Sequence, residues 1–333
     1  VVAAAHAPGL DRILLGTYEG GAVAGLVPVA EELFEQQLAT WPRLREGVEG
    51  LGRAQVRVLD CGRYRSALQF NPQRIVSTAA KTDAASIRER KCFLCPANLP
   101  PEQRGVLVRG TWLLLANPAP ILERHFTIPH VLHRPQSLDD AIPVMMAMAG
   151  DCAPRFTLFY NGPRCGASAP DHLHFQAAPQ GSIPAEEFLS APDQPDGRPL
   201  AGATLRLWEG YDRAVVTLRA DRDEALVAAL DRLLRTARTV LGGEEEPMVN
   251  VLCRRDAAGA GAVVFFRSRH RPAAYFREGD DRVVVSPAAV DIGGLMVTPV
   301  EKDFLSIDAD GLRAIFREVS LAPERLRAVV GAL

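Results

Sequence analysis

Lysine is almost missing from this chain. It occurs only at Lys81, Lys91 and Lys302, and arginine supplies nearly all the positive charge. The 38 basic residues are balanced by 40 acidic ones, for a net charge of −2. That balance excludes a broad electrostatic surface for nucleic acid or for an anionic membrane. Long hydrophobic runs are also absent, so no window reads as a membrane span. The opening VVAAAHAPG has no basic leader and no long apolar stretch, which makes a cytoplasmic protein the expectation. Six cysteines in 333 residues do not make a disulfide scaffold, and only Cys92 and Cys95 form a close pair. What is abundant is apolar residue, at 47%. At roughly 150 residues per domain, the length suits two domains or one duplicated fold.

The pattern along the chain is α+β. Residues 28–51 carry a helical apolar stripe broken at Pro42. Strands are expected at 54–60, 64–70, 105–110, 111–118, 125–129, 155–161 and 173–177. The polar run 71–90 reads mostly as loop. Ser137 and Asp140 form a capping pattern ahead of a helix whose Met145, Met146 and Met148 are packing residues. The proline- and glycine-rich run 182–203 reads as a linker or long surface loop. Beyond it come strands at 204–210 and 214–220, then an amphipathic helix over 223–243 that ends at glycine. Further strands are expected at 250–255, 262–268 and 281–287, and a helix closes the chain.

The chemistry concentrates in DHLHFQ, residues 171–176. In a strand, His172, His174 and Gln176 share one face, while Leu173 and Phe175 enter the core. The loop before it, NGPRCGASAP, has Gly162 and Gly166 for tight turns that let backbone N–H groups approach an anion. Asn161, Arg164 and Ser168 can add side-chain donors. Upstream, CFLCP places Cys92 and Cys95 at a spacing that clasps zinc, although a redox pair or two free thiols fit the same spacing. His172 with one of His125, His130 and His133 would complete four ligands, and His133 is the first choice. His174 suits nucleophilic attack on a phosphorus, provided one ring nitrogen is free and the other donates to a carbonyl. Gln176 can hydrogen-bond the phosphoryl oxygens without moving a proton.

HLHFQ resembles the H-x-H-x-Q motif of the histidine-triad superfamily, in its nucleotidyltransferase branch. That branch holds galactose-1-phosphate uridylyltransferase, dinucleoside tetraphosphate phosphorylase and GDP-L-galactose phosphorylase. NGPRCGASAPDHLHFQ is also similar to the signature of a bacterial domain family of unknown function. The resemblance implies His174 as nucleophile, Gln176 as its partner, and zinc on Cys92, Cys95, an upstream histidine and His172. It implies Asn161 as a phosphate-binding residue. QFNPQR is similar to an element that places Asn71 and Arg74 near the nucleotide. In the second half, RSRHRPAAYF brings Arg267, Arg269, His270 and Arg271 into question as sugar or second-phosphate ligands, with Lys302 a further candidate.

The expectation is therefore an α+β protein of histidine-triad-like antiparallel sheets with flanking helices, in two repeats of which one is degenerate. Residues 1–190 would form the catalytic domain with the zinc site, and 200–333 a degenerate second domain completing the pocket. The substrate-binding set is Asn71, Arg74, Asn161, Arg164, Gly166, Ser168, His270 and Lys302. The activity would move a nucleoside monophosphate from a nucleotide-sugar or dinucleoside polyphosphate, through a covalent histidine, to phosphate or a sugar phosphate. A nucleotide hydrolase and a non-enzymatic zinc- and nucleotide-binding protein are the competing readings. Structural Zn2+ is expected and no organic cofactor; nucleic acid and membrane are excluded as partners, and a homodimer is possible.

Overall fold

The structure, a computed structural model, describes residues 7–21, 25–78, 84–190 and 197–333. Its strands are β1 (Leu14–Tyr18), β2 (Gln55–Asp60), β3 (Arg65–Phe70), β4 (Gly105–Val108), β5 (Trp112–Ala116), β6 (Phe126–Pro129), β7 (Phe156–Asn161), β8 (His174–Pro179), β9 (Arg198–Leu200), β10 (Ala203–Trp208), β11 (Ala214–Ala220), β12 (Val249–Asp256), β13 (Gly259–Phe266) and β14 (Leu295–Thr298). Eleven of them make one sheet in the order β1-β4-β5-β6-β8-β7-β12-β13-β11-β10-β9. The β1–β4 pair is parallel and the other pairs of that sheet are antiparallel. A second sheet, β14-β3-β2, joins strands from both halves of the chain. The α+β class is as expected.

The large sheet repeats itself. β5, β6, the helix Ile142–Asp151, β7 and β8 follow in sequence and lie in the order β5-β6-β8-β7. β10, β11, the helix Asp223–Leu241, β12 and β13 lie in the matching order β10-β11-β13-β12. The two copies meet where β7 pairs with β12, with Asn161 opposite Asn250. Pro129 and Thr127 stand opposite His174 and Gln176, just as Arg219 and Thr217 stand opposite Gly261 and Val263. A Cβ added at Gly261 would lie 3.0 Å from the Leu189 side chain, so this face of β13 is tightly packed against apolar residues. β13 carries neither histidine nor glutamine.

Alternation along β7 explains how one strand serves two cores. Phe156, Leu158 and Tyr160 join the core beneath the helices, while Phe159 faces the opposite core. β7 is buried on both faces because β8 and β12 flank it and packed layers cover it. The helix Asp223–Leu241 buries an apolar stripe including Leu226, Leu230 and Leu233, and ends at Gly242, whose φ of 75° is left-handed.

Several local expectations change. Residues 281–287 are not a strand: the Val283 N–H donates to the Ala274 carbonyl and the Val284 N–H to Asp303 Oδ2, so these donors never reach a ladder. The polar run after residue 71 forms helical turns at Pro72–Arg74, Ile75–Thr78 and Ala84–Glu89, and residues 79–83 lie outside the described residues. Ser137 does not cap the following helix, which starts at Ile142; its hydroxyl accepts from the Asp139 N–H instead. In the expected linker, residues 191–196 lie outside the described residues, and Glu187–Ser190 is a helical turn packed through Phe188 and Leu189. The large sheet continues across both halves of the chain.

Glu246 bridges the halves just before β12. Its carboxylate accepts from the Leu138 N–H at 2.6 Å and from the Tyr160 hydroxyl at 2.8 Å. Burial raises its pKa from 4.5 to about 7, against the pull of those two bonds. The folded chain therefore holds a proton that the unfolded chain releases. This raised pKa contributes stability that is full below pH 4.5 and is lost as pH rises to about 7. The slope should approach about 1.4 kcal/mol per pH unit in that window. Denaturant titrations of Glu246→Gln at several pH values should lack this contribution, because the amide can accept from Leu138 and donate to Tyr160 at any pH.

Candidate active site and metal centre

The two histidines of DHLHFQ do not share a strand face. β8 starts at His174, and His172 sits in the turn before it. His172 Nδ1 lies 3.2 Å from Cys92 Sγ and 3.6 Å from Cys95 Sγ, and His133 Nδ1 lies 3.3 Å from Cys95 Sγ. The four donor atoms are all within 4.8 Å of one another. A zinc tetrahedron with Zn–S near 2.3 Å and Zn–N near 2.0 Å has edges of roughly 3.4–3.8 Å, so the cluster is close to the required size. Burial and the neighbouring Cys92 push the Cys95 thiol up, a setting in which a divalent cation would be the group that stabilises thiolate. Cys92, Cys95, His133 and His172 thus form a metal-binding cluster that fits structural Zn2+.

The groups around the cluster orient its ligands. His172 Nε2–H donates to the His130 carbonyl at 2.7 Å, which leaves Nδ1 to face the metal position. Asp171 lies 3.6 Å from His133 Nε2 and pairs with Arg90 at 2.7 Å. Of the three upstream histidines, His133 is therefore the one in the cluster. The His130 ring accepts from the Leu132 N–H and stands edge-on to Trp112. His125 turns towards Gln176.

Beside the cluster lies a cavity of about 910 Å³, lined by residues of both halves, among them His174, Gln176 and Asn161. His174 is buried in its wall, and its Nδ1 lies 2.8 Å from the His172 carbonyl. That bond requires Nδ1 to carry the proton and leaves a lone pair on Nε2. Burial lowers the His174 pKa, with the bond to His172 opposing. Gln136 braces the same point: its amide donates to the Asn161 and His174 carbonyls and accepts from the His174 N–H.

Two carboxamides have their oxygens committed to the protein. Gln176 Oε1 accepts from His125 Nε2–H at 2.8 Å. Burial, then the Arg74 cation, brings the His125 pKa down to about 3, and its Nδ1 accepts from the Ile121 N–H. His125 is thus a neutral donor, and Gln176 must turn its NH2 away from it. Asn161 Oδ1 accepts from Asn250 Nδ2 at 2.9 Å and from the Ala289 N–H at 2.7 Å. Its NH2 is likewise left as a donor at the cavity wall.

The remaining candidates divide. Arg74, Gly166, Ser168 and His270 line the cavity. Arg74 donates to the Ala119 carbonyl at 2.7 Å. Gly166 has φ 94°, and a Cβ there would lie 2.6 Å from Ala288 Cβ, so glycine is needed on both counts. Arg164 instead pairs with Glu245, and Lys302 donates to the Asp280 and Arg282 carbonyls; neither lines the cavity. Asn71 is buried and does not line the cavity. Arg267 spends its guanidinium on Asn250 and backbone carbonyls, and Arg269 pairs with Glu318, whereas Arg271 lines the cavity. Gln136 and Asn250 were missed as supporting residues, since a lone amide side chain has no spacing signal. No helix among the described residues is long and apolar enough to cross a membrane.

Fold and site together define a class: a duplicated α+β sheet with a Cys–Cys–His–His cluster beside a cavity that buries a histidine. Residues 33–179 match the model of a domain of unknown function, DUF4922. No curated protein matches the chain by sequence. The chain is similar to solved structures of yeast Ap4A phosphorylase Apa2. The structure in complex with Ap4A has a TM-score of 0.55 at 17% identity, covering 88% of this chain and 97% of that one. The structure in complex with AMP has a TM-score of 0.54 at 16% identity over 88% and 96%. A third Apa2 structure has a TM-score of 0.52 at 16% identity over 89% and 94%. The likeness spans nearly the whole of each chain and is one of fold.

The ligand assignment makes a test. Cys92→Ser should lose bound zinc, measured by elemental analysis, and should lower the melting temperature. His130→Gln should keep its zinc, because His130 serves His172 through its backbone carbonyl.

Proposed function

We propose that the chain is a nucleotidyltransferase of the phosphorylase type. The observation that carries this reading is the His174 ring, held by Nδ1–H on the His172 carbonyl in the wall of a cavity that also presents two carboxamide NH2 groups. The donor would be a nucleotide-sugar or a dinucleoside polyphosphate, and the likeness in fold to an Ap4A phosphorylase supports that choice.

His174 Nε2 attacks the α-phosphorus. An N–P bond forms as the P–O bond to the leaving phosphate breaks, and the electron pair departs with that oxygen. An oxygen of the acceptor, phosphate or a sugar phosphate, then attacks the same phosphorus and the N–P bond breaks. No redox partner is needed, and the histidine returns to its starting state. The Gln176 and Asn161 NH2 groups would donate to the phosphoryl oxygens through both steps. The half-buried guanidinium of Arg74 adds positive charge to that wall. Zinc on Cys92, Cys95, His133 and His172 would supply a rigid anchor for the turn that presents the His172 carbonyl. Phe93, 47% exposed on the same cysteine loop and lying under the Arg90 guanidinium at 5.0 Å, offers a flat apolar surface for a nucleobase.

Intact-mass measurement after brief mixing with nucleotide-sugars or dinucleoside tetraphosphates, without acceptor, should show a nucleotidyl adduct on the wild type and none on His174→Ala. Leaving-group release without an adduct would favour a hydrolase. No adduct and no release with any donor would overturn the enzymatic reading. His125 is a positioning residue acting through Gln176. His125→Phe should keep zinc but lower kcat by roughly 10–100-fold, with a smaller change in KM. His125→Gln, which keeps a donor, should recover part of that loss.

A further inference from the structure

The second half of the chain contributes a wall of the cavity for which the transfer chemistry above gives no role. His270, Arg271, Ser286 and Asp291 lie there, beside the loop that carries Asn161 and Gly166. The two segments touch: the Ala289 N–H donates to Asn161 Oδ1, and Gly166 packs against Ala288. This wall therefore adjoins the place where the α-phosphoryl group would meet His174.

Its side chains are held in position. Arg271 Nε donates to Ser286 Oγ at 2.9 Å, Arg271 Nη2 donates to the Thr78 carbonyl at 3.1 Å, and the guanidinium lies 4.2 Å from the centre of the Tyr275 ring. Ser286 Oγ is also 2.9 Å from His270 Nε2. Burial brings the His270 pKa down to about 3, with Arg271 and Arg267 adding to it, so the imidazole is neutral. If Ser286 donates to His270, the imidazole keeps an Nδ1–H donor. If His270 donates to Ser286, the hydroxyl keeps its own proton. Either arrangement adds one donor beside the Arg271 cation. The carboxylate on this wall, Asp291, has its two oxygens taken by the Ala288 and Val297 N–H groups. The wall thus presents donors and positive charge, whereas a sugar ring needs acceptors for its hydroxyls as well.

We propose that Arg271, His270 and Ser286 form a second anion subsite, which holds the phosphate group that leaves or accepts the nucleotidyl unit. The inference rests on the nucleotidyltransferase reading for its place in a reaction, but the binding it predicts can be measured without turnover. A rigid guanidinium with an adjacent hydroxyl recognises a tetrahedral dianion well. The group could be free orthophosphate or the phosphate of a sugar phosphate, and the two share this chemistry.

Calorimetric titration of the full chain with inorganic phosphate gives the direct test. Arg271→Gln should weaken phosphate binding about tenfold or more, the loss expected for a charge-assisted pair. Arg271→Lys should recover part of it, and Arg327→Gln, in an exposed ion pair with Glu209, should leave it unchanged. Circular dichroism confirms that each variant is folded. Equal phosphate affinity in the wild type and a folded Arg271→Gln would overturn the subsite. In a second arm, the histidine adduct is discharged by orthophosphate or by a hexose 1-phosphate. A tenfold or greater slowing by Arg271→Gln with either acceptor supports the subsite and identifies the source of its phosphate; slowing with neither overturns it. Arg271-dependent phosphate binding in a protein that forms no adduct would keep the subsite and remove the nucleotidyltransferase reading. Adduct formation with Arg271-independent phosphate binding would do the reverse.

Discussion

The carbonyl of His172 holds the site together. Its side chain belongs to the metal cluster, its ring Nε2–H is committed to the His130 carbonyl, and its own carbonyl receives the Nδ1–H of His174. One residue therefore connects the metal centre to the tautomer of the next histidine. Gln136 closes the arrangement from the other side by bonding the N–H and carbonyl of His174 and the carbonyl of Asn161. With its backbone held by Gln136 and its ring by the His172 carbonyl, His174 has little freedom to reorient. Rigid second-layer contacts of this kind decide whether a buried imidazole presents a lone pair or a proton.

The same economy is seen in the carboxamides. An amide group has a donor end and an acceptor end, and the protein occupies the acceptor ends of Gln176 and Asn161. What remains for the cavity is donor. His125 can do this for Gln176 because burial and the nearby Arg74 keep it neutral and therefore able to accept from Ile121 while donating to Gln176. Asn161 depends on Asn250 and Ala289, both from the second half of the chain. The second copy of the fold carries no histidine in β13, and Leu189 packs against Gly261 there. Asn250 of that copy supports Asn161, and the segment beyond it, from His270 to Val297, walls the cavity.

Much of this is legible in the sequence. The apolar run RFTLFYN and the alternation in LHFQA mark strands, and β7 and β8 are found there. The C-x-x-C pair and His172 are readable as candidate metal ligands because thiolates at that spacing can clasp zinc from one turn, and the structure closes the cluster around them. The failures have physical causes. Residues 281–287 have a strand's composition, yet their N–H groups are taken by Ala274 and Asp303, which no local pattern reveals. Arg164 and Lys302 looked like anion ligands, but a long side chain can turn to a nearby carboxylate or carbonyl as easily as to a pocket.

The sequence by itself determined the class of elements and the residue types able to hold a metal or attack a phosphorus, because these follow from periodicity and from the chemistry of single side chains. Only the tertiary structure decided which of His125, His130 and His133 joins the cluster, that His172 and His174 part company at the start of β8, and that Arg271 rather than Arg267 or Arg269 lines the cavity. Those choices depend on contacts between segments distant in the chain. The three histidines are separated by a few residues and are chemically identical, so only the geometry of what surrounds each one distinguishes a metal ligand from a positioning residue or a packed ring.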